Sequence, residues 1–191
     1  MANVDSAFGL RPVRTLSGAS WTGQTQECVI ASGDGTATFI GDAVKLAGGA
    51  DTGDANGAPT VIQAAASDVV YGVVVGFKPD YGDLNGSKYR TASTRRECFV
   101  IPATAGVVFE IQADAAFAAA DVGALYDVVV GSGSTTTGRS AMELGVSSGG
   151  TSTGQLRAIG ITRSDDNDFG AGVNVEVVVN ESVFHANVAG V

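Results

Sequence analysis

The chain is poor in the groups from which most active sites and anchors are built. A single histidine, His185, and two distant cysteines, Cys28 and Cys98, leave no His/Cys set at metal-ligand spacing and no CxxC pair. No metal and no other cofactor is therefore expected, and the two cysteines read as buried, reduced thiols. Cations are scarce as well: 11 Lys and Arg stand against 20 Asp and Glu, a formal net charge of -9, and Arg95-Arg96 is the one adjacent basic pair. Wrapping phosphates needs clustered cations, so direct nucleic-acid binding is not expected. Apolar residues come in short runs, never the ~18 in succession that a membrane helix needs. The opening MANVDSAFGL carries Asp5 where a secretory leader wants positive charge. The expectation is a protein made in a cytoplasm, with no membrane partner.

What the chain does have is apolar material cut into short pieces. Hydrophobic residues make up 45% of the 191 positions and charged ones 16%, while 27 glycines supply turns and bulges. Runs rich in Val, Ile, Thr and aromatics recur at Glu27 to Ile30, Thr36 to Phe39, Ala43 to Leu46, Thr60 to Ala64 and Val69 to Phe77. They continue at Glu97 to Ile101, Val107 to Gln112, Ala124 to Val130, Gln155 to Ile161 and Val173 to Asn180. The spacing between run centres is short, with turn residues between them, which favours antiparallel meanders over βαβ units, so the fold class is all-β: a compact antiparallel β-barrel or sandwich. In VNVEVVV, period-two geometry puts Val173, Val175, Val177 and Val179 on one buried face. VVYGVVVGF (69–77) is apolar on both faces, as for a central strand, with Gly72 and Gly76 suited to bulges. Val70, Val74 and Val75 are read as core.

The one helix expected is short: in ADAAFAAADVG, Asp114 can cap about two turns that Gly123 ends. The domain reading is an extended N-terminal arm over 1–20, a single β domain over 21–185 and a C-terminal tail over 186–191. Within the domain a long Gly/Ser/Thr loop, 131–154, is expected to project or to lie on a partner.

Motifs that suggest chemistry fail on context. Gly145-Val146-Ser147-Ser148-Gly149 matches GxSxG, with Asp165 and His185 following in hydrolase order. A nucleophile elbow needs a strand before the serine and a helix after it; GGTSTG cannot open a helix. Asp165-Asp166-Asn167-Asp168 lacks the glycine position and closing Glu of a calcium loop, and reads as a hydrogen-bonded turn. No catalytic residue is assigned, and an enzyme is not expected.

Several blocks, in order, carry a likeness: MANVDSAFGLRPVRTLSG, SGDGTATFIGDAVKLAG, GAPTVIQAAASDVVYGVVVGF, YRTAST, VVFEIQAD, AADVGALYDVVVGSGSTTTGRSAMEL and LRAIGITRSDDNDFGAGVNVEVVVNES. Over nearly the whole chain these resemble the decoration, or cement, proteins of tailed bacteriophages with HK97-type capsids. The resemblance implies a non-enzymatic virion protein on the outer capsid surface, assembled in the host cytoplasm. It would bind the major capsid protein, self-associate as a trimer or other small homo-oligomer, and reinforce the shell. A head-fibre or host-surface-binding virion protein is the alternative.

For the contact surface, residue type points to the start of the chain. Aromatic and Arg residues dominate interface hot spots, which selects Phe8, Leu10, Arg11, Pro12, Arg14 and Trp21. Pro12 fixes its own φ and biases Arg11 toward extended backbone, so FGLRPVR reads as a stiff strap whose two cations seek carboxylates on a neighbouring subunit. The competing reading is that Phe8 and Leu10 pack on the protein's own barrel.

Overall fold

A computed structural model describes residues 3–185 except 56, 84, 105 and 151. The strands are β1 (Arg11–Thr15), β2 (Gln26–Ile30), β3 (Ala43–Ala50), β4 (Pro59–Gln63), β5 (Gly72–Phe77), β6 (Arg96–Pro102) and β7 (Val107–Gln112). The remainder are β8 (Leu125–Tyr126), β9 (Val128–Val129), β10 (Glu143–Leu144), β11 (Leu156–Ile161) and β12 (Asn174–Val179). The fold is all-β, as expected. Strands β2-β4-β3-β5-β6 close a barrel, and β1-β7-β12-β11-β8 form a five-stranded sheet beside it. Among the described residues every strand-to-strand ladder is antiparallel but one, the parallel contact of β2 with β4 at Val29 and Thr60. No helix among the described residues is long and apolar enough to cross a membrane.

Alternation builds the sheet. Val173, Val175, Val177 and Val179 are all buried, whereas Asn174, Glu176 and Val178 are half-buried on the opposite face. Their buried face meets Phe109 and Ile111 of β7, the ladder partners of Val177 and Val175. The same hydrophobic cluster includes Ala43, Val70, Val73 and Ile101 from the barrel side, so one core joins barrel and sheet. A second cluster, with Cys28, Ile30, Val44, Val61, Tyr71, Val74, Cys98 and Val100, fills the barrel itself. Gly72 is obligatory in that packing, since a Cβ would overlap the Ile101 carbonyl across the ladder. The ladder of β5 with β6 slips between Val74 and Gly76, the bulge that glycine spacing predicted. Cys28 and Cys98 are direct ladder partners, fully buried and reduced. Burial pushes the Cys28 thiol up to about 11 and the Cys98 thiol further still.

Loops are tied by one buried cation. Arg90, 0% exposed, uses all five guanidinium donors: Nε to the Thr94 carbonyl (2.7 Å), Nη2 to those of Ala31 (2.8 Å) and Asp34 (2.7 Å), and Nη1 to the Thr36 carbonyl and the Asp34 carboxylate (3.3 Å). Its backbone exchanges hydrogen bonds with Thr38. The run Thr36 to Phe39 is therefore not a ladder strand but a loop pinned by Arg90.

Three local expectations are corrected. The N-terminal segment is extended, but it is no free arm: β1 pairs with β7 as a sheet edge, and Gln112 clamps what precedes it, accepting from Ser6 N–H and donating to the Val4 carbonyl. The 131–154 loop does not project as a whole. Met142 and Leu144 are fully buried, Leu144 lies in β10 against β9, and the Met142 sulfur accepts from Ala43 N–H. The two-turn helix is a single 3₁₀ turn, Ala119–Asp121. Phe117 is buried and exchanges both backbone hydrogen bonds with Gly170 (3.0 Å each), which holds the chain extended where helix was expected. Asp114 instead binds Ser147.

Candidate interface groove

Where the N-terminal segment crosses the barrel, two glycines let backbones touch. Gly9 (φ 75°) and Gly41 (φ 99°) are both left-handed; a Cβ on Gly9 would strike the Gly41 carbonyl, and one on Gly41 the Phe8 carbonyl. The approach is locked by Leu10 N–H donating to Gly41 (2.8 Å) and Gly41 N–H to Val74 (2.8 Å). Leu10 consequently sinks into the core at 2% exposure, while Phe8 and Pro12 on either side remain half-buried at the surface.

Around this crossing lies a groove of ≈ 290 Å³ that gathers five of the six selected residues: Phe8, Leu10, Arg11, Pro12 and Trp21. Ile40, Gly41, Val74, Val75 and Arg139 complete it. Arg14 stands apart, bound to Glu176 on β12 at 2.6 Å. Arg11 lies over the Phe8 ring at 5.0 Å and forms an ion pair with Glu110 on β7. Glu110 is almost completely buried, whereas the Arg11 side chain is 60% exposed. Glu110 and Glu176 are ladder neighbours, so the two arginines neutralise two carboxylates set side by side. The carboxylates expected on a neighbouring subunit are thus supplied by the protein's own sheet.

Val74 is core as expected, but Val75 is half-buried and lines the groove. Arg139 and Ile40 were missed at the sequence level. They arrive together because Ile40 and Arg139 form a parallel bridge that brings the 131–154 loop to the groove's rim. The Arg139 guanidinium has no hydrogen bond or ion pair among the described residues.

The other polar constellations are engaged internally. A cleft of ≈ 660 Å³ carries Lys78, Arg95 and Arg96 with the exposed Tyr81. Its cations are already used: Lys78 and Arg95 both bind Glu97, Arg95 also binds Asp51 (2.8 Å), and Arg96 donates to the Ser87 (2.7 Å) and Tyr89 (2.6 Å) carbonyls. Lys78, and then Arg95, hold the Glu97 carboxyl below its usual range; Arg95 does the same for Asp51. Ser147 donates from N–H and hydroxyl to Asp114, while the His185 Nδ1 sits 2.7 Å from the Asn180 carbonyl; the structure does not assemble a triad with Asp165. In the acidic run, the Asn167 side chain bridges Thr162 and Asn174 as a structural staple. No group of three or more potential metal ligands occurs among the described residues. Comparison with protein-family models, with curated proteins and with solved structures finds no match.

Proposed function

We propose that this protein is a structural virion component that binds the outer surface of a tailed-phage capsid and stabilises the shell by bridging major capsid protein subunits. The observation that carries the proposal is the meeting of Phe8, Arg11 and Trp21 in one open groove beside the unpaired Arg139. Aromatic and Arg side chains around a partly apolar depression are the composition of an interface hot spot. The likeness of the ordered sequence blocks to cement proteins supplies the partner. A small homo-oligomer would multiply each contact, and avidity gains of 10²–10⁴-fold need no single strong site.

The test is quantitative. Purified protein should co-sediment with expanded heads that lack it, and should raise their resistance to heat or chelator-induced rupture. In purified virions its copy number should be comparable to that of the coat protein. A few copies per particle together with binding to host surface glycans would replace this reading with a head-fibre role. No binding to heads and no presence in virions would end both.

A further inference from the structure

The groove does not end at Trp21. Trp21 also lines a second depression of ≈ 230 Å³, together with Ile101, Pro102 and Val107 and with Thr22, Gln24 and Thr25. Trp21 lines both, so the two depressions adjoin at this residue, together termed the trough. Three features of the trough are unspent. The half-buried indole has an N–H with no acceptor among the described residues. The main chain from Trp21 to Thr25, between β1 and β2, makes no hydrogen bond with any described residue. Arg139, in the first depression, has no counter-ion among the described residues.

We infer that this trough is the docking site for an extended, carboxylate-bearing segment of the capsid protein, with an apolar side chain seated between Phe8 and Trp21 and a carboxylate on Arg139. Open main chain favours a peptide occupant, because an added extended segment takes its affinity from backbone hydrogen bonds and its specificity from alternate side chains. Charge sets the polarity. In a protein of net charge -9, Arg139 is the exposed cation of this trough left without a carboxylate among the described residues, Arg11 being paired with Glu110, and it complements an acidic segment and repels a basic one. The capsid protein as donor rests on the decoration reading; the chemistry of the segment rests on the trough alone.

Trp21 is the protein's single tryptophan, so its emission reports occupancy directly. Two probes are used with the full chain: a synthetic peptide alternating valine with glutamate, and its twin with lysine in place of glutamate. The expected result is a blue shift of Trp21 emission with the acidic peptide and none with the basic twin. The acidic peptide should also displace wild-type protein from heads. Arg139→Glu, at an exposed site and with an unchanged melting temperature, should weaken both peptide and head binding at least tenfold. Equal binding of the two peptides, or head binding by Arg139→Glu at wild-type strength with unaltered Trp21 emission, overturns the inference while leaving decoration standing. If the acidic peptide binds but wild-type protein ignores heads, the trough stands and decoration falls.

Discussion

Replacing Arg90 by methionine removes the largest fully buried side chain's charge while keeping much of its length. Four carbonyls, those of Ala31, Asp34, Thr36 and Thr94, lose a charged donor, and the Asp34 carboxylate loses its cation. Each hydrogen bond to a charged group contributes about 1.5–3 kcal/mol net. The five are not additive, because the 31–36 loop lies near the surface and can open to admit water once the fork is gone. Breaking a buried ion pair from one side costs about 3–5 kcal/mol, and a loss of about 4 kcal/mol is expected. Arg90→Lys keeps the charge but offers three donors from a single nitrogen in place of five in a planar fork, so about 2 kcal/mol is expected there. The assay is guanidinium unfolding with Arg157→Met as the exposed control. The midpoint should fall with the slope unchanged, and the melting temperature of Arg90→Met should drop by roughly 8–16 °C. A midpoint for Arg90→Met that matches the Arg157→Met control would refute the assignment of Arg90 as the tie between these loops.

The Arg11–Glu110 pair should respond asymmetrically: Arg11→Ala leaves a buried carboxylate without its cation and costs about 3 kcal/mol, whereas Glu110→Gln costs less, a difference read by chemical denaturation. The two thiols, raised by burial, should resist an aromatic disulfide reagent in the folded protein and react together at the rate of unfolding; fast labelling of either would contradict the barrel packing. For pH, the Glu97 and Asp51 carboxyls are depressed in the folded state, so their stabilisation is present above the ordinary carboxylate pKa of about 4 and is lost as pH falls through the folded values. Glu97→Gln should accordingly lower stability at pH 7 and flatten its decline below about pH 4, as followed by thermal melts in acetate and glycine buffers.

Legibility followed periodicity. Period-two valines and bounded apolar runs marked β7, β11 and β12 almost to the residue, because one buried face forces alternation. β1 escaped because Arg11-Pro12-Val13-Arg14-Thr15 has no such alternation; a sheet edge tolerates proline, and its two cations, still partly in solvent, pair with Glu110 of β7 and Glu176 of β12. The 131–154 loop misled through its Gly/Ser/Thr content, which masked how firmly Met142 and Leu144 anchor it. For the site, residue type alone selected five members of the groove. Their convergence was hidden, since it depends on Gly9 crossing Gly41, a contact between distant positions. Arg139 carried one available signal: a cation following Gly138 in a loop already marked for function.

The barrel strands all fall within residues 26–102, while the sheet takes its strands from residues 11–15 and 107–179. In chain connectivity the barrel is thus an insertion between two adjacent sheet strands. When the barrel is unformed, joining β1 to β7 closes a loop of roughly ninety residues, with the full entropy cost of such a closure. Once the barrel has formed, its first and last strands, β2 and β6, are hydrogen-bonded neighbours, and β1 and β7 are held apart only by the short connections at 16–25 and 103–106. A formed barrel would thus act as the clasp that makes the edge strand's pairing nearly local, and the order of assembly expected from the connectivity is barrel first and sheet edge second.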